Sequence, residues 1–228
     1  MNPGSVIIHI VSPNVFSEED DRAVLTDMET GRAASFRFPG DATRWIGFRA
    51  ALRRILGAAV RMAPHDVPLV LTDSGKPVLA PPFDHLHFSL SHCNDLALVA
   101  LCADGPVGID LEPLSRASDL SGCEHTFCHP DEIAAQPLEP RARCIRMLEI
   151  WTAKEALLKA LGTGFLHPPE TIRIHMEATR FTATCDEPLP GIASQIIQRP
   201  HHPSIDAYCA ALSIPASVSR IEIVPCEA

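Results

Sequence analysis

The sequence predicts an α+β protein made of two similar halves in tandem, and three observations lead there. Apolar runs with the two-residue period of strands alternate with two long stretches of helical periodicity. The order strand, variable acidic stretch, long helix, strands occurs twice. Corresponding elements recur about 100 residues apart, as Val6 stands to Val107 and Leu69 to Thr171. The expected architecture is a pseudo-dimer of two α+β subdomains, residues 1–105 and 106–228, each a small, mainly antiparallel sheet on a long helix. The cleft between them is the natural ligand site.

In chain order, SVIIHIV is the first strand, followed by an acidic stretch and a helix expected from Asp41 to Met62. Strands follow near PLVLTD, HLHFSLS and LALVALC. The second half opens with the strand VGIDL, and SDLSGCEHTFCHPDEIAAQ takes the place of the variable stretch. A second helix is expected from Glu139 to Leu161, stopped by Gly162 in the way helices commonly end on glycine. TIRIHM, RFTATC and YCAALSI complete the strands.

Composition sets the outer bounds. A chain of 228 residues with 46% apolar and 21% charged content can bury one substantial core or two small ones. A net charge of −9 with scattered arginines argues against nucleic acid as a partner, which needs a basic stripe. The start, MNPGSVIIHIVSPN, lacks the basic region of a signal peptide, and no apolar run reaches membrane length. A monomeric cytoplasmic protein is expected. The eight cysteines are spread widely and several lie in apolar strands, as small buried thiols do in the cytosol. CEHTFCH holds two cysteines and two histidines of the kind that bind zinc, but it lacks a second pair at zinc-finger spacing.

Of 19 basic residues only Lys76, Lys154 and Lys159 are lysines, and all three fall in chemically suggestive stretches. In VGIDLEP, Asp110 and Glu112 stand two apart on a strand, so both carboxylates project from one face. Alone, the pair also fits a solvated sheet edge. In EIWTAKEALLKALGTG, Glu155 and Lys159 share a helix face with Trp151 and Leu158 beside them. An ordinary i,i+4 ion pair would look the same. With Asp110 and Glu112, however, Glu155 completes an all-oxygen set of the kind that favours Mg²⁺. In DSGKPVLAPPFDHLHFSLSHC, Gly75-Lys76-Pro77 is a turn, and Ser91 and His92 lie at a strand end, which with Lys76 suits an anion-binding role.

These stretches, in this order, resemble the 4′-phosphopantetheinyl transferases of the double-length, surfactin-synthetase-activating type. The matching signatures are Gly75-Lys76-Pro77, Phe88 to His92, Gly108 to Glu112, and Trp151 to Lys159, and the pattern covers most of residues 37–165. The resemblance implies two α+β subdomains with coenzyme A in the cleft and Mg²⁺ on its pyrophosphate. It makes Asp110, Glu112 and Glu155 the metal carboxylates. Glu155 also becomes the group that removes the serine proton, and Lys159 the contact to the phosphate nearest the leaving group. Lys76, Ser91 and His92 would bind coenzyme A phosphates, Arg44 the 3′-phosphate, and Lys154 the coenzyme. Arg53 matches a second family arginine nine residues after Arg44. The family's lysines upstream of Arg44 are missing here, where Arg32 and Arg37 are candidates to substitute, and Glu132 follows a loop one residue longer than the family's. The implied reaction moves the phosphopantetheine arm to a serine of an apo carrier protein and releases 3′,5′-ADP. The alternatives are a Mg²⁺-dependent coenzyme A or nucleotide pyrophosphate hydrolase and a non-catalytic coenzyme A-binding module.

Overall fold

The computed structural model describes residues 2–13, 15–177 and 180–225 and is α+β, with two principal sheets and two long helices. The first half runs β1 (Ser5–Val11), α1 (Glu18–Arg22), α2 (Asp27–Ala34), α3 (Pro39–Val60), β2 (Leu69–Leu71), β3 (Pro77–Leu79), β4 (His87–Cys93) and β5 (Leu96–Cys102). The second runs β6 (Gly108–Pro113), α4 (Pro130–Ala134), α5 (Pro140–Leu161), β7 (Ile172–Glu177), β8 (Arg180–Cys185), β9 (Gln195–Gln198) and β10 (Tyr208–Pro215). One more strand, β11 (Arg220–Pro225), follows.

The halves share a plan. In each, the opening strand pairs antiparallel with the closing one, β1 with β5 and β6 with β10, and each carries a 22-residue helix. The sheet orders are β11-β1-β5-β4 and β6-β10-β9-β8-β7. The second subdomain does not keep the whole of residues 106–228. Its sheet closes at β10, and β11 returns to lie parallel to β1, with Val6 opposite Ile221 and Ile8 opposite Ile223. The acidic stretch before α3 is also more regular than expected, since Thr26 and Glu29 form a reciprocal capping box that starts α2.

The central strands β5 and β10 are buried on both faces, which explains the continuous apolar run in β5. Leu98, Ala100 and Cys102 join Val6, Ile8, Ile109, Leu212 and Ile214 in a core shared by the two sheets. Their alternates Ala97, Val99 and Leu101 pack on Phe48, Leu52 and Leu56 of α3. Helix α5 covers the second sheet in the same way, with Ala153, Leu157 and Leu158 against Ile172, Ile197 and Ala211. Among the described residues no helix is long and apolar enough to cross a membrane.

Alternation along β6 sets up the site. Ile109 and Leu111 enter the shared core, so Gly108, Asp110 and Glu112 face the other way, towards α5. Gly108 lets the strand and helix touch, because a Cβ there would lie 1.9 Å from the Ala156 carbonyl oxygen and 2.5 Å from the Ala160 nitrogen. Gly108→Ala is therefore expected to cost about 3 kcal/mol by forcing β6 off the helix. Urea denaturation checks it, and a loss under 0.5 kcal/mol, on the order of ordinary surface substitutions, would contradict the close approach.

Candidate active site

Helix α5 carries the central groups. Glu139 caps its start by accepting from the Arg141 and Ala142 amides, Pro140 takes the first turn, and Gly162 ends it in the left-handed region at φ 73°. Over the last two turns Glu155 and Lys159 emerge beside β6. The Lys159 Nζ lies 2.6 Å from Asp110 Oδ1, 3.3 Å from Ser91 Oγ and 3.3 Å from the Ile109 carbonyl. Asp110 is 4% exposed, and its second oxygen, Oδ2, has no hydrogen-bond partner among the described residues. Glu112 pairs with Arg116 at 2.6 Å. Burial, then the charge of Asp110, pushes the Glu155 carboxyl up to about 7; Lys159 pulls the other way and Glu112 adds to the rise.

Among the described residues no three His, Cys, Asp or Glu side chains are gathered as a ready-made metal cage. The donor set nonetheless fits a hard cation. A buried carboxylate oxygen stands without a partner, and three carboxylates close enough to disturb one another share the face of β6 and α5.

From the first half, Lys76, Pro77, Ser89 and His92 close a cavity of about 370 Å³ together with Glu155, Leu158 and Lys159. The cavity thus lies between the two subdomains. The Lys76 Nζ reaches the Lys159 carbonyl at 2.5 Å, and burial lowers its ammonium to about 8. The His92 ring stacks on Phe48, with centroids 5.2 Å apart. Partial burial, then Lys159 and Arg44, holds the imidazole below its ordinary range. His92 also borders a second cavity of about 540 Å³ lined by Phe36, Asp41, Arg44, Trp45 and Phe48. Arg44 is exposed there and held by Asp41 at 2.5 Å, and the Arg32 guanidinium lies 5.2 Å over the Phe36 ring. Arg37 sits over Phe38.

One expected contact takes another place. Lys154, expected at the coenzyme, is 1% exposed and turned to the other side of the helix. Its three donors go to the Phe127 carbonyl, the Pro169 carbonyl and Glu132 Oε2, so none remains for a ligand. Glu132 also accepts from the His129 and Ile174 amides, which makes the pair a buried, fully bonded tie between α4, α5 and β7. Arg53 is likewise structural, bonded to Glu29 and to the Pro64, His65 and Val67 carbonyls. In CEHTFCH, burial pushes the Cys128 thiol up to about 12, while the His129 ring caps α4. Sequence reasoning missed the close-approach role of Gly108, for which a glycine opening an apolar strand was the available signal. It also missed the aromatic wall of Phe36, Trp45 and Phe48.

Residues 106–212 match the sequence profile of the 4′-phosphopantetheinyl transferase superfamily. The chain is 37% identical over 151 residues to the 4′-phosphopantetheinyl transferase HetI of a Nostoc species, covering 64% of this chain and 63% of that one. It is 29% identical over 155 residues to a phosphopantetheinyl transferase of a Thraustochytrium species, covering 62% and 54%. It is also 28% identical over 140 residues to the 4′-phosphopantetheinyl transferase gsp of Aneurinibacillus migulanus, covering 61% and 57%. The chain spans less than two thirds of the length of each of these relatives.

Proposed function

We propose that the chain is a member of the 4′-phosphopantetheinyl transferase superfamily and that it moves the 4′-phosphopantetheine arm of coenzyme A to a serine of an apo carrier protein, releasing 3′,5′-ADP. One observation carries the reading. The cavity between the subdomains brings Lys76 and His92 of the first half to Glu155 and Lys159 of the second, beside Asp110 with its unpartnered oxygen.

In this reading the coenzyme lies in the cleft with its pyrophosphate towards Lys159 and its nucleotide end towards His92, Arg44 and the aromatic wall. Asp110, Glu112 and Glu155 would hold Mg²⁺. When bound, the ion offsets charge on the phosphates on either side of the breaking bond. Glu155, whose pKa is raised to about 7 so that its carboxylate form is a stronger base than an ordinary glutamate, accepts the proton of the attacking serine hydroxyl. The serine oxygen bonds to the β-phosphorus as the bond to the bridging oxygen breaks, and the ammonium of Lys159 stabilises the charge left on the α-phosphate.

The test is intact-mass analysis of apo acyl and peptidyl carrier proteins incubated with coenzyme A, Mg²⁺ and this protein. The expected result is an added phosphopantetheine mass on one or more carriers, lost with Asp110→Ala. Free phosphopantetheine released without any carrier would instead indicate a hydrolase. Binding of coenzyme A with neither product would indicate a binding module.

A further inference from the structure

We infer that Ser91 is a positioning residue that aims the Asp110 carboxylate at the metal, and that it is not a contact for the coenzyme. The inference rests on the transferase reading and departs from the role that the motif alone suggests for this serine. A serine hydroxyl has one proton to donate and room for two acceptances. Ser91 Oγ donates to Asp110 Oδ1 at 2.9 Å, and accepts from the Leu111 amide at 3.2 Å and from Lys159 Nζ at 3.3 Å. All three places are taken. The residue is 7% exposed, so the hydroxyl has neither surface nor spare valence to offer a phosphate.

The same bonds show what the hydroxyl does. β4 ends the first sheet and β6 ends the second, and among the described residues no ladder joins them. Ser89 and Ser91, two apart on β4 and so on one face, each accept an amide of β6, Ser89 from Ile109 at 3.1 Å and Ser91 from Leu111 at 3.2 Å. The pair acts as a side-chain substitute for a ladder and fixes the register of one subdomain against the other. Ser91 adds the bond to Oδ1. With Oδ1 also held by Lys159, the carboxylate has one rotational setting, and the oxygen left bare in it is the buried Oδ2. Groups that orient a ligating carboxylate in this manner commonly govern metal affinity without touching the ion.

The experiment is a titration of the purified protein with Mn²⁺, free ion being read by electron paramagnetic resonance, with and without coenzyme A and with no carrier protein present. Ser91→Ala is expected to weaken Mn²⁺ binding by about 10- to 100-fold, and Ser91→Thr, which keeps the hydroxyl, to recover most of it. In a separate transfer assay on an apo carrier at saturating metal, KM for coenzyme A should stay within about twofold of wild type, since only uniform coenzyme binding would move it alone. Ser89→Ala removes the equivalent inter-sheet bond without touching Asp110. It should lower Tm about as much as Ser91→Ala does and leave the Mn²⁺ affinity unchanged. A raised KM for coenzyme A with unchanged Mn²⁺ affinity in Ser91→Ala would overturn the inference, as would equal loss of Mn²⁺ binding in both alanine variants. Failure of the transferase reading shows separately, as wild-type protein that adds no mass to any carrier.

Discussion

Glu155→Gln is expected to lower kcat by about 10²- to 10⁴-fold while making the ligand-free protein more stable at alkaline pH. Both effects have one cause. The carboxyl is half-buried near Asp110 and Glu112, and its pKa in the folded chain is about 7 against 4.5 ordinarily. The folded state therefore keeps a proton that the unfolded chain gives up between pH 4.5 and 7. Where the native state binds more protons, stability falls as pH rises. The cost of the charged group is absent below pH 4.5, grows through that window and is complete above pH 7. Glutamine removes the charge and with it the cost. Discounted for partial exposure, the gain at pH 8 is about 1 to 2 kcal/mol, or roughly 2 to 6 °C in Tm for a chain of this size. At pH 4.5 no gain is expected. Thermal unfolding in chelator at the two pH values, with single-turnover transfer on an apo carrier, tests both halves. Unchanged kcat, or a Tm lowered equally at both pH values, would remove Glu155 from the reacting centre.

Much of this site could be read from the chain because its groups sit on elements with strong local signals. The two long helices fall within about two residues of their expected bounds, and Asp110, Glu112, Glu155 and Lys159 take their relative places from the periods of one strand and one helix. What local periodicity could not supply was the identity of neighbours. Helix α5 is buried almost all round, with Ala153, Ala156, Leu157, Leu158 and Ala160 all in cores or contacts, so no apolar stripe separates Lys154 from Lys159. Only the presence of Glu132 and two carbonyls on one side shows that Lys154 is structural. The alternation of RIEIVP is strand-like, but nothing within it says that it pairs with β1, more than 200 residues away. Ser91 is a subtler case. Its place at a strand end suggested a ligand, and the saturation of its hydroxyl depends on atoms from three other residues.

The two lysines that do line the cavity are expected to separate in kinetics. Lys159 has its ammonium on Asp110, beside the place that the proposed reaction gives to the leaving phosphate, and its side chain is 30% exposed towards the cavity. Lys159→Ala should therefore lower kcat by about 10²- to 10³-fold, the loss typical of a well-placed electrostatic donor. Lys76 sits differently. Burial has lowered its ammonium to about 8, so a coenzyme phosphate beside it would favour the charged form. If that phosphate is the 3′ group, it is the same in bound coenzyme, transition state and departing 3′,5′-ADP. Lys76→Ala should then raise KM for coenzyme A and leave kcat nearly unchanged. Its bond to the Lys159 carbonyl does not alter this, because α5 is fixed along its length by the core of the second sheet and by the contact at Gly108. Dephospho-coenzyme A, which lacks the 3′-phosphate, supplies the control. On it, Lys76→Ala should lose little against wild type, whereas a full loss there together with an unchanged response of Arg44→Ala to the missing phosphate would move Lys76 to the pyrophosphate. Equal falls in single-turnover rate at saturating coenzyme A in Lys76→Ala and Lys159→Ala would mean that both ammonium groups act on the transition state, and the division of labour would be wrong.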